Sequence, residues 1–230
     1  MTDDAWFGVT PEPVAEYVRN IVLLAHVAKL SGSKIAEHIA NSAPKGKSIL
    51  VDAFAGPGGN TIAFARSSRW KRIYAIEKDP AVLQCAKHNA KIYGVEDKIT
   101  WFEGDCMEIL KDQLKELAPY SVIFASPPWG GRPDSVETWS YDSAKLILGP
   151  GYRSDGIYNL STMKPYPLMA LNSEFSKFTE DMVLFLPRTS DLRQLATVVK
   201  DGHKALAMHY CMEGASKALC LYNGDFKFEG

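Results

Sequence analysis

SILVDAFAGPGGN, residues Ser48 to Asn60, is a short apolar run that reaches an acid, Asp52, and then breaks into a glycine-rich turn. An uninterrupted apolar run of this length reads as a strand buried on both faces, and the turn as its passage into a helix. The same unit recurs downstream. RIYAIE (Arg72 to Glu77) predicts a second strand ending in an acid, and Pro80 opens a helix that runs to Tyr93 and stops at Gly94. ITWFEG (Ile99 to Gly104) predicts a third strand, ending just before Asp105. Met107, Leu110, Leu114 and Leu117 then recur at helical spacing and predict a helix over Cys106 to Leu117. SVIFAS (Ser121 to Ser126) is a fourth strand, running into Pro127-Pro128-Trp129-Gly130-Gly131. After a Gly-, Pro- and Tyr-rich stretch over 130–172, read as loop with one short helix, MVLFLP (Met182 to Pro187) restores the rhythm. A helix over Asp191 to Lys200 and two closely joined strands, Ala205 to Cys211 and Ala218 to Tyr222, complete it. Strands alternating with helices predict an α/β fold with a mostly parallel seven-stranded sheet, its antiparallel edge supplied by the last hairpin.

A 230-residue chain that is 46% hydrophobic and 23% charged buries a sizeable core. Its expected organisation is an N-terminal helical extension or lid over 1–44, with helices near Pro11 to Leu30 and Ser33 to Asn41, followed by the sheet domain over 45–230. The net charge of −1 supplies no global field for long nucleic acid or anionic membrane, so a nucleic-acid substrate would have to be gripped locally. MTDDAWFGVTPE is not a secretory leader, and Ile21 to Leu30 is too short to span a bilayer. The four cysteines show no metal-ligand spacing and read as free thiols of an intracellular protein.

Ligands of open α/β sheets bind at the carboxyl ends of the strands. The turn Asp52-Ala-Phe-Ala-Gly56-Pro-Gly58-Gly59-Asn60 lets backbone approach a ligand, although a tight strand-to-helix turn needs glycine in any case. It is not the dinucleotide fingerprint, whose third glycine would fall at Thr61. Glu77 is placed to accept both ribose hydroxyls of a nucleoside, and Asp105 to accept from an adenine amine or, equally, to cap its own helix. Three such features at consecutive strand ends point to an adenosine-containing cofactor. Ser126-Pro127-Pro128-Trp129 adds rigid outward carbonyls and a hydroxyl that suit an exocyclic amine, with Trp129 as a stacking face or, in the alternative, a packed core residue.

These residues resemble the trimethylguanosine synthase family of RNA cap guanine-N2 methyltransferases. WFGVTPE (Trp6 to Glu12), VDAFAGPGGNTIAFA (Val51 to Ala65), HNAKIYGVEDKI (His88 to Ile99), SPPWGG (Ser126 to Gly131) and, more weakly, FLPR (Phe185 to Arg188) carry the likeness. It implies a Rossmann-like class I domain that uses S-adenosylmethionine to methylate the exocyclic N2 of a 7-methylguanosine cap on small nuclear or nucleolar RNA. By the resemblance, Thr10, Asp52, Gly56, Asn60, Glu77 and Asp105 would hold the cofactor. Ser126 and Pro127 would hold N2, Trp129 would stack on the base, and Arg188 would meet the cap phosphates, a surface salt bridge being its alternative role. N7 methylation makes the base cationic, and a cation over an indole gains roughly 0.5–2 kcal/mol. Nuclear residence, a monomeric state and recruitment by ribonucleoprotein partners are further implications.

The expected chemistry is in-line attack of the amine on the sulfonium methyl, with no metal and no His or Cys nucleophile. Rival readings are an amino-group methyltransferase acting on internal guanine N2 or adenine N6 of RNA or DNA, and a non-catalytic cap- or cofactor-binding protein.

Overall fold

The computed structural model describes residues 32–129, 156–200, 203–212 and 215–228. The expected Thr10 contact, the Trp6-Phe7 segment, the helix over 11–30 and most of the loop after Trp129 lie outside them.

Period-two alternation decides the architecture. In β1 (Ile49–Asp52), Leu50 joins one core cluster while Ile49 and Val51 join the other. Val122 and Phe124 of β4 (Ser121–Ala125) likewise oppose Ile123 and Ala125, and Val183 and Phe185 of β5 (Met182–Pro187) oppose Met182, Leu184 and Leu186. A strand that is apolar on both faces must be covered on both. Helices α1 (Gly32–Ser42) and α2 (Gly59–Arg66) cover one side through Ile35, Ile39, Ile62 and Phe64. The other side is covered by α4 (Cys106–Asp112), α5 (Leu168–Phe178) and α6 (Leu192–Ala196). Between α2 and α4 in the chain, α3 (Pro80–Ile92) starts on an Asp79 cap that accepts from Ala81 N and Val82 N at 2.8 and 3.3 Å.

With β2 (Arg72–Glu77), β3 (Ile99–Glu103), β6 (Leu206–Met212) and β7 (Ala215–Asn223), the seven strands take the order β3-β2-β1-β4-β5-β7-β6. The predicted α/β class and the seven strands are those observed. The antiparallel margin is the final hairpin, but the strand opposing its neighbours is β7, inserted between β5 and β6. α1, expected within the extension, is built into the core, and His38 Nδ1 lies 3.0 Å from the Tyr210 hydroxyl of β6, which in turn bonds Tyr222 of β7.

Three helices differ from expectation. α4 ends at Asp112, and a 3-10 turn over Lys115–Tyr120 carries the chain on. Leu114 is still buried, because the apolar spacing persists where the helical hydrogen bonds stop. α6 is shorter than predicted, ending at Ala196. α5 begins inside the stretch read as loop, its buried Leu168, Leu171 and Phe175 forming the inward face. No helix among the described residues is long and apolar enough to cross a membrane, and all four cysteines are free.

Candidate active site

The strand order reverses between β1 and β4, so their connections leave on opposite sides and open a crevice at the carboxyl ends. A cleft of about 320 Å³ lies there, a volume suited to a nucleoside-sized ligand. Its lining comes from four consecutive strand ends: Phe54 and Gly56 after β1, Glu77 on β2, Asp105 after β3, and Ser126 after β4.

The turn after β1 is held by its own backbone. Gly56 has φ +52° and Gly58 φ +90°, both left-handed. A Cβ on Gly58 would stand 3.3 Å from the Cβ of Ala86, so this glycine also allows α3 to pack close. Asn89 Nδ2 donates to Pro57 O at 3.0 Å and ties the turn to that helix.

Glu77 is fixed at both oxygens. Gly56 N–H donates to Oε2 at 2.8 Å and Asp79 N–H to Oε1 at 2.9 Å. Each oxygen keeps a further lone pair, which matches the two hydroxyls of a ribose. The hydrogen bonds thus present a rigid, two-pronged acceptor in the cleft wall. Asp105 fills the capping role open to it, Oδ1 accepting from Met107 N–H at 3.0 Å. It also lines the cleft, and Oδ2 accepts from the Tyr166 hydroxyl at 2.5 Å. Burial raises its proton affinity, but the bonds from Tyr166 and Met107 and the Lys78 ammonium outweigh this and hold the carboxyl below its usual range.

Asp52 stands apart from the lining. It is 0% exposed, and its Oδ2 accepts from the Thr61 hydroxyl at 2.6 Å beneath the turn. Burial pushes its carboxyl up to about 7, against the Thr61 and Phe54 hydrogen bonds and with the Glu77 charge adding to the rise. Asn60 is also buried in the first turn of α2, its Oδ1 unpartnered among the described residues.

On the far side of Ser126, Pro127 is buried and Pro128 exposed, and Trp129 is partly buried. The indole stacks on Phe185 at 5.3 Å between centroids and 27° between planes. Its Nε1–H donates to Phe185 O at 3.2 Å, and the Tyr158 hydroxyl donates to Trp129 O at 2.7 Å. One face is therefore packed, as the core alternative expected, and the ring orientation is fixed. Arg188 is exposed, three residues beyond the carbonyl that holds the indole.

The structure thus gathers Gly56, Glu77, Asp105 and Ser126 into one cleft, while Asp52, Asn60, Pro127, Trp129 and Arg188 stand outside its lining. Sequence reasoning missed Phe54, Pro165 and Tyr166 in the lining. The acceptor pair on Glu77, the carboxylate of Asp105 and the apolar Ile76 and Val82 of the same lining fit an adenosine-bearing cofactor.

Comparisons with known proteins agree. Residues 47–226 match the family model described as RNA cap guanine-N2 methyltransferase. The trimethylguanosine synthase of Schizosaccharomyces pombe is 30% identical over 219 residues, 95% of this chain and 75% of that protein. Its Saccharomyces cerevisiae counterpart is 30% identical over 201 residues, 87% of this chain and 52% of its own length. Among solved structures, a proposed O-methyltransferase from Klebsiella pneumoniae superimposes with a TM-score of 0.50 at 12% identity, covering 96% of this chain and 86% of that one. A fold of seven mixed strands, a cleft at its switch point and a family match across most of the sheet domain converge: the chain belongs to the RNA cap guanine-N2 methyltransferase family, enzymes that use S-adenosylmethionine on capped RNA.

Proposed function

We propose that the chain methylates the exocyclic N2 of a 7-methylguanosine cap, with the cofactor lying across Gly56, Glu77 and Asp105 and the base entering beside Ser126. The observation that carries this reading is the convergence of those four residues on one cleft at the strand ends. S-adenosylmethionine supplies an activated methyl on a positive sulfur, so the protein needs no nucleophile of its own. Glu77 accepts the ribose hydroxyls and Asp105 the adenine amine. The Ser126 hydroxyl and the Pro127 carbonyl accept the N2 hydrogens and aim the lone pair, which is the main help available to a weakly nucleophilic arylamine. Trp129, locked on one face by Phe185, offers its other face to the cationic base. Arg188 meets the cap phosphates. Asp52 acts by holding the turn through Thr61, and Asn60 Oδ1, unpartnered among the described residues, is left to meet the cofactor.

Thr10 and the Trp6-Phe7 segment, ahead of α1, close over the cofactor or cap in this reading. Small nuclear and nucleolar RNAs as targets, nuclear residence, a monomeric state and recruitment by ribonucleoproteins belong to the same proposal. They draw on the trimethylguanosine synthases that the chain resembles.

The test is methyl transfer to 7-methyl-GTP and GTP side by side, with products resolved by mass. Transfer to 7-methyl-GTP alone is expected, and the product mass gives the number of methyls added. Transfer to neither, with cofactor binding intact, would redirect the reading to internal amino groups of RNA or DNA.

A further inference from the structure

Tyr166 was invisible to motif reasoning, lies outside the mechanism above, and yet lines the cofactor cleft with its hydroxyl on the acid at the adenine end. It arrives there from a segment 61 residues away from Asp105 in the chain. We propose that Tyr166 is a specificity-determining residue: by donating to Asp105 Oδ2 it fixes that carboxylate as a pure acceptor, so that the cleft selects a 6-amino over a 6-oxo purine. The inference rests on reading Asp105 as the group that faces the cofactor's base.

Asp105 receives Met107 N–H on Oδ1 at 3.0 Å, and on Oδ2 the Tyr166 hydroxyl at 2.5 Å and Lys78 Nζ at 3.5 Å. It is surrounded by donors, and a carboxylate so surrounded stays ionised and has no hydrogen to offer an oxo group. Tyr166 has one hydroxyl hydrogen and gives it to Asp105, so its oxygen turns only lone pairs toward the cleft. Two acceptors therefore stand together where the purine 6-position would lie. An exocyclic amine has two hydrogens for them. An oxo group would set its own lone pairs against those two acceptors and bring no hydrogen for either, the kind of mismatch on which strong discrimination is built. Lys78 does not reverse this, since its ammonium is mostly exposed and makes the longest of the three contacts.

The experiment is calorimetric binding, to the full chain, of S-adenosylhomocysteine and of its 6-oxo counterpart, S-inosylhomocysteine. Wild type, Tyr166→Phe and Asp105→Asn are compared, with the unliganded melting temperature of each variant as a check on folding. Wild type is expected to prefer the 6-amino ligand by about a hundredfold or more. Tyr166→Phe, with an unchanged melting temperature, is expected to lower that preference about tenfold, mainly by weakening the 6-amino ligand. Asp105→Asn, which brings donors of its own, is expected to abolish it. An unchanged preference in Tyr166→Phe, or an equal weakening of both ligands, would overturn the role of Tyr166 while leaving the cofactor site standing. Failure of wild type to bind either ligand would overturn the cofactor reading itself, and the inference with it.

Discussion

Glu77 shows how much a single side chain does in this cleft. Its carboxylate accepts from Gly56 N–H and Asp79 N–H, and so clamps the turn after β1 to the turn after β2. Glu77→Gln keeps the size but turns one oxygen into a donor that faces a backbone N–H. S-adenosylhomocysteine binding is expected to weaken at least tenfold by calorimetry, with a smaller loss of melting temperature. Trp129 tests the other half of the site. Trp129→Phe retains a stacking ring but leaves the Phe185 carbonyl without its indole partner. Trp129→Ala removes the ring as well. In steady-state kinetics with 7-methyl-GTP, Trp129→Ala is expected to raise KM by about one to two orders of magnitude, and Trp129→Phe by less. Cofactor affinity is expected to hold in both, because Trp129 does not line that cleft.

Among the elements, the turn and α2 stand or fall on Gly58. Its φ of +90° is left-handed, and an added Cβ would press on Ala86 at 3.3 Å. Gly58→Ala is expected to destabilise the chain by about 1–3 kcal/mol, read as a fall in urea midpoint at unchanged slope. The strands and the start of α3 were legible in sequence because each is a local statement: an apolar run, a proline at the first helical position. Glu77, Gly56 and Ser126 were legible for the same reason, since strand ends are where such folds collect ligands. α5 was harder to read. Leu168, Leu171 and Phe175 do recur at helical spacing, but Pro165 and Pro167 just upstream and the weak helix formers Asn172 and Ser173 obscured it. The break in α4 was hidden because apolar spacing reports burial, and Leu114 is buried whether or not the helix continues. Tyr166 could not be read at all. Its meaning lies in a contact with Asp105 that only the folded chain brings about.

For the whole molecule, a buried and a half-buried titratable group set opposite slopes of stability with pH. Asp52 titrates near 7 in the fold, above the ordinary carboxylate value of 3.8, so the native state holds a proton that the unfolded chain has lost. Its contribution is full below about 4 and falls away as pH rises through 7. His38 behaves inversely: burial, with the Lys34 charge adding to it, lowers its ring from 6.5 to about 4. Its contribution is present above 6.5 and is lost as pH falls toward 4. Between these limits the two offset each other, and wild-type stability is expected to vary little. Asp52→Asn keeps the acceptor for Thr61 and cannot ionise, so its stability relative to wild type is expected to climb from pH 4 to 7, by on the order of a few kcal/mol. Urea unfolding across that range checks it; a constant difference would mean that Asp52 is already ionised in the native state.

The position of β7 also fixes an order of events. Among the described residues β6 pairs only with β7, and β5 completes its outer side only when β7 slots in beside it. During synthesis both strands leave the ribosome before the one that unites them. Nearly a third of the sheet therefore waits on β7, with β5 exposing an open edge until it arrives. Losing β7 would remove the anchorage of β6 and of the Tyr210–His38 link to α1, turning the loss of one strand into a defect that spreads back toward the start of the described residues.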